Sequence, residues 1–193
     1  MWKFVKSALE RDTWLDTKGA KQVCFWGRSN VGKSSLLNAI VNQKISYVSK
    51  QPGRTQLINY FEDDGVFIID FPGYGYAQMS KSKSEQMNRC IKEFIVADKS
   101  PKNIFLLIDS RTGLTQNDYK TIEFLKKVNW NFDIVYTKMD KLNQKEKSLL
   151  IKKHNDYISK KLFKDSTSSF LVSSEKNIGL DELIEYMQDY LYS

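Results

Sequence analysis

Eight consecutive residues, Gly27-Arg28-Ser29-Asn30-Val31-Gly32-Lys33-Ser34, constrain the fold of this chain more than any other feature. They satisfy the pattern G-x-x-x-x-G-K-[ST] and stand between an apolar run, Val23-Cys24-Phe25-Trp26, and a stretch of helical periodicity over Lys33–Val41. A glycine-bearing loop in that setting curls its backbone around an anion. Successive N–H groups and the start of the helix then point at the negative charge. In open sheets such loops lie outside the carboxyl ends of parallel strands, so alternating strands and helices are expected around it.

The rest of the chain has that alternation. Short apolar runs predict strands over 23–26, 57–62, 66–70, 104–108, 132–136 and 170–172, and amphipathic stretches predict helices over 33–41, 84–97, 117–128, 144–162 and 180–190. Asp63-Asp64-Gly65 predicts a tight turn that makes the second and third strands an antiparallel hairpin. The expected fold class is α/β, of the P-loop NTPase type. Its sheet would be mostly parallel and six-stranded, with one antiparallel edge strand and helices on both faces.

At 193 residues the chain suits one domain, 1–193, with an N-terminal arm over 1–21 and the main unit over 22–193. Cys24 and Cys90 form neither a disulfide framework nor a metal spacing. The start, Met1-Trp2-Lys3-Phe4-Val5-Lys6, lacks the apolar core of a signal peptide, and no apolar run is long enough to span a bilayer. A soluble, cytoplasmic monomer without a membrane partner is expected. His154 is read as an inert residue on a polar helix face. Lys and Arg number 30 against 23 Asp and Glu, a net charge of +7. That excess suits a polyanionic partner, and it equally suits a surface kept soluble by lysine.

The loop predicts a nucleoside triphosphate site, with Lys33 reaching the β- and γ-phosphates and the Ser34 hydroxyl on Mg²⁺. Asp70-Phe71-Pro72-Gly73 supplies a D-x-x-G motif. A carboxylate ending a buried strand is costly unless paired, and a water bound to Mg²⁺ would pair Asp70. Gly73 can bring its N–H close to a γ-phosphate because no side chain intervenes. Between them, Pro52-Gly53-Arg54-Thr55-Gln56 places Thr55 as a second magnesium ligand in a loop that would respond to loss of the γ-phosphate. Lys33, Thr55 and Gly73 are therefore the expected catalytic set. Arg28 and Arg54 are candidates to approach the phosphates, or simply solvated.

Thr137-Lys138-Met139-Asp140 follows a predicted strand. An aspartate there can accept two hydrogen bonds from guanine, at the ring N–H and the exocyclic amine. Adenine offers no such pair, which would leave the carboxylate unsatisfied at a cost of about 1–3 kcal/mol. Lys138 would lay its stem over the base and support the phosphate loop. Thr137 stands where asparagine is commoner, with a hydroxyl still able to bond across to that loop. Ser173-Ser174-Glu175, after the last strand, matches the short loop that gives a backbone N–H to the guanine oxygen. These residues predict GTP and GDP as ligands.

Several segments carry a more specific likeness: Gly27 through Ser34 with Ser35-Leu36, Pro52-Gly53-Arg54-Thr55-Gln56-Leu57-Ile58-Asn59, Asp70-Phe71-Pro72-Gly73-Tyr74-Gly75-Tyr76-Ala77, Leu107-Ile108-Asp109-Ser110-Arg111, and Thr137-Lys138-Met139-Asp140. With Phe4-Val5-Lys6-Ser7-Ala8 they resemble, almost end to end, the EngB family of small bacterial GTPases associated with ribosome assembly and also with cell division. The resemblance implies a Mg²⁺-dependent GTPase acting on the large ribosomal subunit, or else a GTP-dependent scaffold for division in which hydrolysis is incidental. Two departures stand out: Trp26 where a small residue is usual, and Glu175 where a lysine is usual.

Generic GTPases place a glutamine after D-x-x-G to orient the attacking water, and here the position is Tyr74. Unassisted turnover on the order of 10⁻³ s⁻¹ or below is expected. Asn30 admits two readings: a ligand for K⁺, as in some related GTPases, or a residue that steadies the loop through its own backbone bonds. Tyr74, Tyr76 and Met79 form either an apolar contact surface or part of the core.

Overall fold

A computed structural model describes residues 1–41, 56–75 and 79–193. Within them the chain runs β1 (Lys3–Ala8), β2 (Gln22–Gly27), α1 (Lys33–Val41), β3 (Ile58–Asp63), β4 (Val66–Asp70), α2 (Lys81–Ala97), β5 (Lys102–Asp109), α3 (Gln116–Lys127), β6 (Phe132–Thr137), α4 (Gln144–Ser159), β7 (Ser169–Leu171) and α5 (Leu180–Tyr192).

The layering follows from the two-residue period of the strands. Every residue of β2 is buried, and its alternate side chains leave by opposite faces. Val23 and Phe25 pack with Leu36 and Leu37 of α1 and with Leu183 and Met187 of α5. Cys24 and Trp26 pack on the other side with Ile91 and Phe94 of α2 and with Ile122 and Leu125 of α3. Strands buried on both faces read as continuous apolar runs, and for that reason the sequence shows them clearly.

The sheet order is β1-β3-β4-β2-β5-β6-β7. From β4 through β7 the pairings are parallel, whereas β3 is antiparallel to both β1 and β4. Among the described residues the sheet therefore has seven strands where six were expected, and the antiparallel strand lies one place in from the edge. The added strand is β1, drawn from the segment read as an arm. Its first four residues are exposed and no apolar alternation marks it. It is held by its register with β3, by the Phe4–Phe61 ring contact at 5.8 Å, and by the Met1 amine on Asp63 at 2.6 Å.

His154 also departs from its sequence reading. Lysines at 152 and 153 suggest a solvated face, yet His154 lies four residues after Leu150 and shares its buried side of α4. Its Nδ1 is 3.0 Å from the Tyr136 hydroxyl, and its ring packs beside Phe163. Tyr74 is likewise buried, with its ring against Trp26, and Met79 packs against the same core.

Pairings of Phe25 with Asp70, Gly27 with Leu107, Asp109 with Thr137 and Tyr136 with Leu171 align the carboxyl ends of five strands along one rim. Open parallel sheets bind ligands at such a rim.

Candidate nucleotide-binding site

The phosphate loop takes its shape from backbone conformations that few residues adopt. Asn30 has φ 63° and Gly32 φ 100°, so the chain turns twice through the left-handed region before α1 begins. Asparagine tolerates that region better than most side chains, and glycine enters it without penalty. Gly27 is needed for space: a Cβ there would lie 3.0 Å from the Leu107 carbonyl oxygen and 3.1 Å from Val31 Cγ1.

A cleft of about 470 Å³ opens over this loop. Lys33 Nζ pairs with Asp70 Oδ1 inside it, and Ser34 and Ser35 also line it. Gly73 passes so close to the loop that a Cβ would stand 3.1 Å from the Ser29 nitrogen. The next residue is stitched on from both sides, Ser29 N–H donating to the Tyr74 carbonyl at 2.8 Å and Tyr74 N–H to that of Gly27 at 3.1 Å.

A second cleft of about 310 Å³ adjoins the first and shares Gly32, Ser35 and Lys138 with it. The Thr137 hydroxyl donates to the Val31 carbonyl at 2.7 Å, across the gap between the two motifs. Lys138 sits at φ 60°, an uncommon conformation for a non-glycine residue and one that recurs at functional sites. From there its Nζ donates to the Asn30 carbonyl at 2.8 Å and pairs with Asp109 at 3.0 Å. Burial would raise the Asp109 carboxyl, but Arg111 and Lys138 outweigh it and hold the group well below the usual carboxylate range.

Asp140 lines the second cleft. Its Oδ1 accepts the Ser173 hydroxyl at 2.6 Å and its Oδ2 pairs with Lys141 at 3.1 Å. The Ser173 hydroxyl, with help from Lys141 and against some burial, lowers the Asp140 carboxyl, which keeps it an acceptor. Ser173 is itself spent inward: its N–H donates to the Ile178 carbonyl and its hydroxyl oxygen accepts the Lys176 N–H. Ser174 and Glu175 form the wall of the cleft, Glu175 bound to Lys141 at 3.0 Å.

The 50S ribosome-binding GTPase family model matches residues 22–138. A curated relative, "Probable GTP-binding protein EngB" of Mycoplasmopsis agalactiae, is 60% identical over 192 residues, covering 100% of this chain and 99% of the relative. The chain belongs to the EngB family of GTP-binding proteins. The EngB relative of Mycoplasmopsis synoviae is 47% identical, covering 96% of this chain and 97% of its own. Among solved structures, the crystal structure of a probable GTP-binding protein engB matches with TM-score 0.70 at 24% identity, over 89% of this chain and 98% of that one. A point variant of Aquifex aeolicus Era bound to GDP and AlF4⁻ matches with TM-score 0.66 at 23% identity, over 88% of this chain and 56% of that one. At those identities the two structures establish a shared α/β GTPase fold.

For this EngB-family chain, the rim brings together most of the residues singled out from sequence. Arg28, Ser29, Asn30, Val31, Gly32, Lys33, Ser34, Ser35, Asp70, Phe71 and Gly73 line the first cleft, with Lys138 shared, and Asp140 and Ser174 line the second. Others stand apart. Met139 is 3% exposed with its side chain in the core, and its N–H donates to the Val172 carbonyl. Pro72 lines neither cleft, and Ser173 acts through Asp140. Gly53, Arg54 and Thr55, with Tyr76, lie outside the described residues. The sequence reading assigned no role to Asp109, Arg111 or Lys141. Asp109 carried the same signal as Asp70, a carboxylate ending an apolar strand.

Proposed function

We propose that this EngB-family protein binds GTP across the two clefts, hydrolyses it slowly, and uses the GTP-bound form to dock on the large ribosomal subunit. The observation that carries the nucleotide reading is the joining of the Lys33 cleft to the Asp140 cleft through Lys138, whose amine holds the phosphate loop while its stem borders both.

The triphosphate lies in the first cleft, where Lys33 and the amides from Asn30 to Ser35 neutralise it. The base lies in the second, where Asp140 accepts from the guanine ring N–H and amine, and a backbone N–H near Ser174 meets the guanine oxygen. Ser34 would give Mg²⁺ its hydroxyl oxygen and Thr55 a further one, while the Asp70 carboxylate would hold the ion through a bound water. When bound, that ion would neutralise phosphate charge. Water attacks the γ-phosphorus in line, the bond to the bridging oxygen breaks, and the water's proton passes to the phosphate. Gly73 positions its N–H at the γ-phosphate. Tyr74 is buried with its hydroxyl spent on Asp118, so it offers no free group to orient a water, which supports slow turnover without a partner. A cation such as K⁺ held near Asn30, or the ribosomal partner itself, would supply the missing charge.

The description of the matching family as ribosome-binding and the net charge of +7 support an rRNA-rich partner. Co-sedimentation with large subunits, in GTP against GDP and across a salt series, tests it. GTP-dependent binding that weakens steeply with salt is expected. Binding indifferent to nucleotide would overturn this reading, and absence of binding in either nucleotide state would favour the GTP-dependent scaffold instead.

A further inference from the structure

We propose that Asp118 of α3 is a positioning residue for GTP hydrolysis, holding Arg28 of the phosphate loop and Tyr74, the residue after D-x-x-G, on one buried carboxylate. The proposal rests on reading the Lys33 cleft as the GTP site.

Asp118 is 0% exposed. Its Oδ2 accepts the Thr115 N–H and the Thr115 hydroxyl, both at 2.7 Å, the first of these being the carboxylate arm of the capping box of α3. Capping accounts for one oxygen. The other, Oδ1, accepts the Tyr74 hydroxyl at 2.6 Å, and Arg28 Nε lies 3.7 Å from Oδ2. Arg28 is steadied again by donating from Nη2 to the Thr112 hydroxyl at 2.7 Å. A helix cap alone does not require burial of the charge or contacts to two nucleotide-facing segments. A buried carboxylate is costly unless its partners stay in place, so these groups fix one another.

The consequence reaches the cleft through the backbone. Tyr74 is bonded to Gly27 and Ser29 through its main chain, and its ring lies edge-on to Trp26 at 5.8 Å. Burial, with the charge of Asp118 beside it, pushes the Tyr74 phenol far up, so it remains a donor. Gly73 immediately precedes this anchored residue. Movement of Tyr74 by about an ångström would carry the Gly73 N–H away from where a γ-phosphate oxygen must sit. Asp118 thus sets the geometry of a contact that GTP makes and GDP lacks, and it transmits the presence of the γ-phosphate to the start of α3.

Tyr74→Phe tests this, because it removes the hydroxyl and leaves the ring. The affinity ratio of GTP to GDP and the single-turnover hydrolysis rate should each fall about tenfold, with GDP affinity within about twofold of wild type. Asp118→Asn should do at least as much, and the double variant should be no worse than Asp118→Asn alone, since the bond that Tyr74→Phe removes is already lost there. If Asp118→Asn fails to fold, Tyr74→Phe decides alone. An unchanged ratio and rate in Tyr74→Phe, or a loss of melting temperature without them, overturns the positioning role. Lys33→Ala serves as the separate control: loss of both nucleotides upholds the cleft reading, and wild-type GDP affinity would refute that reading itself.

Discussion

Thr137→Val isolates the bond that joins the two clefts. The Thr137 hydroxyl donates to the Val31 carbonyl at 2.7 Å, and the residue is 3% exposed. Valine keeps the size and replaces the hydroxyl with a methyl, so the carbonyl loses that donor in a site closed to water. Such a loss costs about 1–3 kcal/mol. At about 2–4 °C per kcal/mol for a chain of this length, the melting temperature should fall by about 2–12 °C. Val31 sits between Asn30 and Gly32, both at positive φ, so the strap holds a loop that would otherwise relax. If the strap contributes about 1.4 kcal/mol to the binding-competent loop, GDP affinity falls up to about tenfold through the smaller competent population. Thr137→Ser keeps the hydroxyl and sheds the methyl, so it should bind GDP within about twofold of wild type. Thermal unfolding and calorimetric GDP titration of the three proteins measure both effects. Wild-type GDP affinity in Thr137→Val, with weaker binding in Thr137→Ser, would refute the reasoning and assign the residue to packing.

Asp140→Asn should move base preference from guanine toward xanthine, because an amide donates where the xanthine ring presents a carbonyl; unchanged guanine preference in competition binding would remove Asp140 from the base site. Gly179 has φ 67° and a Cβ there would stand 2.2 Å from the Leu171 carbonyl oxygen, so Gly179→Ala should lose at least about 2 kcal/mol in urea unfolding. It should also loosen the Ser173–Ile178 pairing behind the base cleft, seen as weaker GDP binding. Burial lowers the His154 imidazole, so the fold favours its neutral form. The unfolded chain then binds the extra proton first. Stability from this residue is present above the unfolded value of about 6.5 and is lost as pH falls below it. His154→Gln should flatten that decline in denaturation curves taken between about pH 7 and pH 5, and an unaltered slope would contradict the placement.

The Gly27–Ser34 loop, the strand ending at Asp70, the Thr137–Asp140 turn and the succession of the main strands along the chain were all legible before any folding was considered. Each is written in contiguous residues whose spacing has a direct physical reading: glycines where backbone meets phosphate, apolar runs where both faces of a sheet are covered. Other features came into being with the packed fold. Strand β1 carries no apolar alternation and exists because β3 offers it an edge. Met139 belongs to its motif but packs into the core. Ser173 serves Asp140 with its hydroxyl while its N–H is spent on Ile178, and Asp118 gathers two segments around one charge. Such roles depend on which strand ends meet after long crossovers, as when Thr137 reaches Val31 across 106 residues, and no local pattern in the chain encodes that distance.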